Sequence, residues 1–203
     1  MSVVMDALVC GEIVKYPDPF LLQPCRDVTL NELALTGKLV NGVPIVELAD
    51  RMKDMMFESN GIGLAAPQVR VNARMFVLAT SDHETITVIN PVLSDLRGTM
   101  NEKEGCLSVP GVMGMVKRSQ ALTLTGVDEK GQAVKYELEG LIAGAAQHEF
   151  DHLQGQLFIN KIGMAGRTMI RRGLEQLERE FAQSLRKYPP EVRERLLKAA
   201  GLR

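Results

Sequence analysis

Residues 147–155 read QHEFDHLQG. In this stretch His148 and His152 stand four positions apart, and Glu149 directly follows the first histidine. On an α-helix, residues i and i+4 lie on the same face, so both imidazole rings can reach one metal ion. Glu149 can then reach a water molecule bound to that ion, which is the chemistry of an HExxH motif. The alternative is a polar patch with two histidines on an ordinary helix surface.

A catalytic metal site usually has three protein ligands and an open position, so a third ligand must come from elsewhere in the chain. The one other histidine, His83, lies upstream between strand-like segments. Cys106, within EGCLSVPG at 104–111, is the better candidate, because the glycines around it indicate a turn and function concentrates in such segments. Three downstream glutamates are also possible, but they fall on a basic amphipathic helix and look solvated: Glu175, Glu178 and Glu180.

A second unusual stretch is GIGLAAPQ at 61–68, directly after a predicted helix. For Gly61 alone, a helix C-cap is a sufficient explanation. The small residues that lead to Gln68 also let a ligand or another backbone approach closely, and Gln68 supplies an amide that can donate a hydrogen bond. A phosphate-binding loop is not indicated, because no lysine follows the glycines.

The spacing of apolar residues predicts an α+β fold, with antiparallel sheets around the central HExxH helix and a further helix at the C-terminus. Helices are predicted from Pro44 to a stop at Gly61, and over 140–154, 164–187 and 191–200. Short β-branched or apolar segments predict strands at 74–80 and 85–89, followed by NPVLSDL at 90–96, and a hairpin of 121–127 with 132–138. We expect a catalytic domain over residues 1–163 and a helical tail over 164–203, packed on that domain or extending from it.

The 203-residue chain has a net charge of −1, which gives no case for general nucleic-acid binding. The charge is uneven, because residues 161–203 carry a net +6 and the remainder −7. Three cysteines without regular spacing favour a reducing compartment, with Cys10 and Cys25 in plain packing or surface roles. No signal peptide and no apolar stretch of membrane-spanning length are evident, so we expect a cytoplasmic protein.

Taken in order, GIGLAAPQ, EGCLS and QHEFDH resemble the three motifs of the peptide deformylase family, G-x-G-L-A-A-x-Q, E-G-C-L-S and Q-H-E-x-D-H. The likeness extends over roughly residues 12–162. It implies a metal-dependent hydrolase that removes the formyl group from the N-terminal formylmethionine of new polypeptides. It also implies one divalent ion per chain, most often Fe²⁺, with Ni²⁺, Co²⁺ or Zn²⁺ as alternatives.

The resemblance further implies a role for each matching residue. Cys106, His148 and His152 would bind the metal, and Glu149 would act as general base and later as general acid. The oxyanion hole would be formed by Gln68 and the backbone N–H of Leu107. The residues implied to bind the substrate peptide through their backbones are Ile62, Gly63 and Gly105, and the candidates for lining its methionine pocket are Ile62, Leu107 and Leu141.

Two segments depart from common patterns of that family. Gly144 and Ala145 stand where larger side chains are frequent, so either the methionine pocket is wider or other residues fill the gap. The segment around Met113 lacks the arginine or aromatic residue often found there, which puts the subsite beyond methionine in doubt. Near the ligands, we expect Asp151 to have a supporting role, and Arg118 either pairs with Glu104 or is solvated.

The tail and the overall function each leave alternatives. The basic segment can dock on the ribosome, but the apolar stripe of 164–187 favours packing on the core. Residues 191–203 can do either. No membrane or DNA partner is expected. A zincin-type protease would need a downstream third ligand and no role for Cys106. A non-enzymatic, ribosome-associated homologue would need neither Glu149 nor Gln68.

Overall fold

The computed structural model describes residues 11–33, 42–81 and 84–202, so His83 and Cys10 lie outside the described residues. Five strands form one antiparallel sheet in the order β1-β2-β3-β6-β7: β1 Gly63–Ala65, β2 Met75–Ala79, β3 Thr85–Arg97, β6 Ala121–Val127 and β7 Ala133–Glu139. The strands β4 Met100–Cys106 and β5 Val109–Arg118 form a separate hairpin. The helices are α1 Leu30–Leu33, α2 Ile45–Glu58, α3 Gly140–Leu153, α4 Met164–Ser184 and α5 Pro190–Ala199. The predicted α+β class with antiparallel sheets and a C-terminal helix is confirmed.

Helix α3, which carries the two histidines, lies at the centre of the fold, and ten of its 14 residues are buried. Ala143 and Ala146 pack against the sheet in one apolar cluster with Phe76, Leu122 and others. Their small side chains let the helix axis approach the strands closely. The position of α3 therefore fixes where the histidines stand relative to both β-structures.

Helix α2 covers another part of the sheet with an apolar stripe that includes Leu48, Met52 and Met56. Its start after Pro44 agrees with the prediction, but its end does not involve Gly61 as the left-handed residue. That conformation belongs to Asn60, with φ 55°, a residue type that tolerates it. Gly61 serves a different purpose, since a Cβ there would lie 2.8 Å from Cδ1 of Leu107.

The bounds of one predicted strand need correction, and one hairpin was missed. Strand β3 does not end at residue 89 but continues through Asn90 and Pro91 to Arg97, with a register shift between Ile89 and Val92 that absorbs the proline. The β4–β5 hairpin was not predicted, because β4 (MNEKEGC) contains no β-branched residue and alternates only between half-buried and exposed positions. The β6–β7 hairpin forms as expected.

Helix α4 packs on the β4–β5 hairpin. Ile170 and Leu177 join an apolar cluster with Val112 and Val116 of β5, and the hydroxyl of Tyr16 donates a 2.9 Å hydrogen bond to Glu178. This contact is the packing expected for the first part of the tail, while the division of the chain at residue 163 stays a prediction. Among the helices in the described ranges, none combines the length and the apolar character needed to cross a bilayer.

Replacing Leu177 with alanine tests whether α4 belongs to the same folding unit as the hairpin. Leu177 is buried, so we expect the free energy of unfolding to fall by roughly 2–4 kcal/mol in a single cooperative denaturant transition. Met169→Ala, at a position that is 85% exposed on the same helix, should change it little. An unchanged midpoint for Leu177→Ala, or a separate transition for the tail, would contradict this packing.

Candidate metal centre

The predicted metal ligands come from two elements that meet at one point. Cys106 ends β4, and His148 and His152 face it from successive turns of α3. One ligand atom from each residue lies within 4.8 Å of those of the other two. Sγ of Cys106 lies 3.3 Å from Nε2 of His152, and the two imidazole centroids are 5.1 Å apart. A sulfur and two ring nitrogens therefore converge on a volume the size of one ion.

The other candidate ligands do not reach this point. Within residues 11–33, 42–81 and 84–202, the three convergent residues are the one such group of histidine, cysteine or acidic side chains with suitable spacing. Glu178 of α4 instead accepts the hydrogen bond of Tyr16, and Glu175 pairs with Arg171. Cys25 packs beside an apolar cluster, where burial raises the pKa of its thiol to about 11, as its predicted packing role requires.

Arg118 joins the hairpin to the helix beside the ligands. Its guanidinium donates two hydrogen bonds to Glu104 of β4, of 2.6 and 2.9 Å, and one of 2.6 Å to Asp151 of α3. Lys161 donates to the other oxygen of Asp151 at 2.7 Å. The pairing of Arg118 with Glu104 matches one of the two alternatives given above, whereas its bond to Asp151 and the part played by Lys161 were missed.

Glu104 in turn orients one of the histidines. Its carboxylate accepts the Nδ1–H of His148 at 2.8 Å, which leaves Nε2 of that ring for a metal ion. Burial opposes ionisation of Glu104, but the hydrogen bonds from His148 and Arg118 outweigh it and lower the pKa to about 2. Glu104 is therefore charged throughout the neutral pH range and can fix the orientation of the His148 ring.

Glu149 is buried beside the ligands, and its Oε2 has no hydrogen-bond partner among the described residues. Burial raises the pKa of this carboxyl to about 7. Space for it depends on Gly63, because a Cβ at that position would collide with the Glu149 carboxylate. Gly63 was predicted only as a substrate-binding residue, so its role in accommodating Glu149 is a second requirement for glycine there.

Gln68 points its amide at the ligand turn. Its side-chain oxygen accepts from the N–H of Ala65 at 2.8 Å, which fixes the orientation of the amide. Its Nε2 donates to Oγ of Ser108 at 3.1 Å and lies 3.6 Å from Sγ of Cys106. Leu107 follows Cys106 in the same turn between β4 and β5. Of the two groups predicted to form an oxyanion hole, the Gln68 amide thus lies beside the metal-ligand sulfur, and Leu107 directly follows that ligand in the chain.

An N-terminal strap, residues Val14–Tyr16, holds these two loops together. The N–H of Val14 donates to the carbonyl of Gln68 at 2.8 Å, and the N–H of Tyr16 donates to the carbonyl of Ser108 at 2.7 Å. Between them, Nζ of Lys15 donates to the carbonyl of Leu107 at 2.7 Å. The sequence around YPDPF did not predict these contacts. Two of the three hydrogen bonds use backbone groups, which are present whatever the side chain.

A cleft of about 520 Å³ opens beside the ligands. The predicted substrate-binding residues all line it: Ile62, Gly63, Gly105, Leu107 and Leu141. Ile62 and Leu141 are 42% and 58% exposed, as an open apolar wall requires. At Gly144, a Cβ would lie 2.9 Å from Cε of Met100, so Met100 occupies part of the space that the glycine leaves.

The residues present fit a divalent transition metal. One thiolate and two imidazoles suit several such ions, and this donor set does not by itself select one. Burial lowers the pKa of His152 well below its usual range, which keeps that ring neutral, the form that binds metals. At His148 burial is outweighed by hydrogen bonds with Cys106 and Glu104, which raise its pKa, so binding of an ion there displaces a proton. Nδ1 of His148 is already occupied by Glu104, and a buried carboxylate stands next to the ligands without a partner in the described chain.

Comparison with known proteins points to one family. Residues 10–168 match the model of the polypeptide deformylase family. The peptide deformylase of Thermodesulfovibrio yellowstonii is 41% identical over 165 residues, which cover 79% of this chain and 94% of that protein. The crystal structure of peptide deformylase from Thermus thermophilus has a TM-score of 0.73 and 34% identity, and covers 83% of this chain and 97% of that one. Arabidopsis thaliana peptide deformylase 1B gives a TM-score of 0.76 and 31% identity over 88% and 96% of the two chains. The chain therefore belongs to the peptide deformylase family of metal-dependent hydrolases.

Proposed function

We propose that this deformylase hydrolyses the formamide bond of N-terminal formylmethionine with Cys106, His148 and His152 as metal ligands and Glu149 as proton carrier. The observation that carries the proposal is the convergence of the three ligand atoms within 4.8 Å, beside a buried carboxylate whose Oε2 has no partner in the described chain. The products are formate and a polypeptide with a free methionine amine.

The ion is proposed to be Fe²⁺, with Ni²⁺, Co²⁺ or Zn²⁺ as alternatives. When bound, such an ion supplies Lewis acidity that polarises an acyl oxygen and lowers the pKa of a water molecule. The support for this proposal is the mixed sulfur and nitrogen donor set, which suits all four ions.

Glu149 is proposed to take a proton from the attacking water at Oε2 and to hand it to the departing amine nitrogen. A carboxyl with a pKa of about 7 supports this role, because its basic and acidic forms are both accessible near neutral pH. The burial of the carboxyl and the absence of a cationic partner in hydrogen-bond contact with it, among the described residues, leave Oε2 free to exchange a proton with the substrate.

Gln68 and the backbone N–H of Leu107 are proposed to donate to the negative charge that develops on the formyl oxygen. Each such donor typically contributes on the order of 10²–10³ in rate. The bond from Ala65 to the Gln68 side-chain oxygen supports the assignment, because it fixes the amide with its Nε2 directed at the ligand turn, where Nε2 also donates to Ser108. The strap over Val14–Tyr16 is then a positioning element, since it fixes the backbone on both sides of the hole.

The substrate peptide is proposed to lie extended along the free edge of β1 at Ile62 and Gly63, and beside Gly105 of β4, as an added strand. β1 is the terminal strand of the five-stranded sheet, and β4 pairs only with β5 in its two-stranded sheet, so each has one edge without a paired strand among the described residues. The methionine side chain then enters the cleft that Ile62, Leu107 and Leu141 line.

The basic C-terminal segment, residues 161–203, is proposed to contact the ribosome in the cytoplasm, where formylated chains emerge. Its net charge of +6 supports attraction to ribosomal RNA. The apolar face of α4 already packs on the hairpin, so the charged face of α4 and the mostly exposed α5 are the parts available for this contact.

Glu149→Gln tests the proton-carrier role. The variant should retain its metal content, because Glu149 is not a ligand, but its kcat for release of formate from a formyl-Met-Ala peptide should fall by about 10²–10⁴-fold. Glu139→Gln, which changes an exposed glutamate at the N-cap of the same helix, serves as the matched control and should keep wild-type kcat. Full activity of Glu149→Gln, or no formate release by the wild-type enzyme, would contradict the proposal.

Arg118→Ala tests the bridge that supports the ligands. Removing one partner of a buried ion pair typically costs about 3–5 kcal/mol, and here Glu104 would lose two of its hydrogen bonds. We expect lower unfolding free energy and substoichiometric metal by elemental analysis. Arg97→Ala removes an exposed arginine paired with Glu137 at 3.5 Å and should leave both unchanged. Normal stability and metal content in Arg118→Ala would show that Arg118 does not support the metal ligands.

A further inference from the structure

Glu102 stands in the wall of the cleft beside the metal centre. Along β4, Met100, Glu102, Glu104 and Cys106 are half-buried and alternate with exposed residues, so Glu102 shares a face with the Cys106 ligand. Glu104 is fully engaged with Arg118 and His148. The side chain of Glu102, by contrast, makes no hydrogen bond or ion pair with any residue in the described ranges, and Glu102 lines the cleft.

Gly144 makes room for Glu102 in the wall of the cleft. Gly144 lies one turn before His148 on α3 and also lines the cleft. A Cβ at Gly144 would lie 3.6 Å from Cγ of Glu102 and 2.9 Å from Cε of Met100. Because glycine has no Cβ, Cε of Met100 and Cγ of Glu102 can lie close to the helix at this position, and both Gly144 and Glu102 line the cleft.

Among the described residues, no lysine or arginine forms an ion pair with Glu102. Arg118 is bonded to Glu104 and Asp151, and Lys103 lies on the opposite, exposed face of the strand. A partly buried carboxylate without a partner attracts a cation or hydrogen-bond donor more strongly than one in bulk water does. The cleft thus combines an apolar wall at Ile62 and Leu141 with two acidic residues that have no cationic hydrogen-bond partner among the described residues, Glu149 beside the ligands and Glu102 on β4.

We propose that Glu102 is a specificity-determining residue, and that the cleft accepts N-formyl peptides whose first side chain is long, unbranched and ends in a cationic donor, in addition to formylmethionine. Lysine has this form, since its methylene stem can lie along the apolar wall while its ammonium group meets Glu102. The inference rests on the proposed function, because it concerns the same cleft and the same hydrolysis.

Norleucine provides the matched probe, because it has the four side-chain carbons of lysine without the ammonium group. The measurement is kcat/KM for formyl-Lys-Ala-Ser and formyl-Nle-Ala-Ser, expressed as the Lys/Nle ratio. In Glu102→Gln this ratio should fall by about 5–10-fold relative to the wild type, the range expected for one partly desolvated charge pair. The control Glu194→Gln, which removes an exposed carboxylate on α5, should leave the ratio at its wild-type value.

A conservative variant separates charge from shape. Glu102→Asp keeps the carboxylate on a shorter stem and should give a Lys/Nle ratio between those of the wild type and Glu102→Gln. A Lys/Nle ratio that is the same in wild type, Glu102→Asp and Glu102→Gln overturns the inference. If the wild-type enzyme releases no formate from formyl-Met or formyl-Nle peptides, the proposed function itself fails, whereas turnover with an insensitive ratio rejects the role of Glu102 alone.

Discussion

The ion pair that Arg118 makes with Glu104 and Asp151 is the constraint on which the site depends. Glu104 belongs to the β4–β5 hairpin and Asp151 to α3, so one guanidinium joins the two elements that supply the ligands. Arg118 is only 4% exposed, and a buried charge is tolerated when it is paired and hydrogen-bonded. The same Glu104 carboxylate orients His148, so the link between the elements and the orientation of a ligand are one network.

Close approach is the second requirement, and small residues meet it. Gly63 leaves room for the Glu149 carboxylate, and Gly61 leaves room for the Leu107 side chain of the ligand turn. The alanines of α3 bring the helix near the sheet. Gly144 leaves room in the same way, but for the side chains of Met100 and Glu102 in the wall of the cleft. The same residue type thus packs the catalytic region tightly and shapes the region that receives the substrate.

Features of this arrangement that follow from local sequence patterns could be predicted, whereas those that depend on contacts between distant segments could not. The helical period marked α2 and α3, and the DEKG turn marked the β6–β7 hairpin, because these signals are local. The β4–β5 hairpin was not predicted, since β4 contains no β-branched residue and the valines of β5 are separated by proline, glycines and methionines. The motifs indicated Cys106 as the third ligand, but the Lys161 bond to Asp151 and the strap at Val14–Tyr16 depend on contacts between distant segments, which no local pattern records.

The central claim is that a sulfur from the hairpin and two imidazoles from α3 bind one ion. X-ray absorption at the metal K edge tests it most directly, on the 203-residue chain purified with its metal under exclusion of oxygen. We predict one metal–sulfur distance of about 2.3 Å and two metal–imidazole nitrogen distances of about 2.0–2.1 Å. These are the usual distances for zinc, and those for the other ions are closely similar. A first coordination sphere without sulfur, composed of nitrogen and oxygen alone, would contradict it.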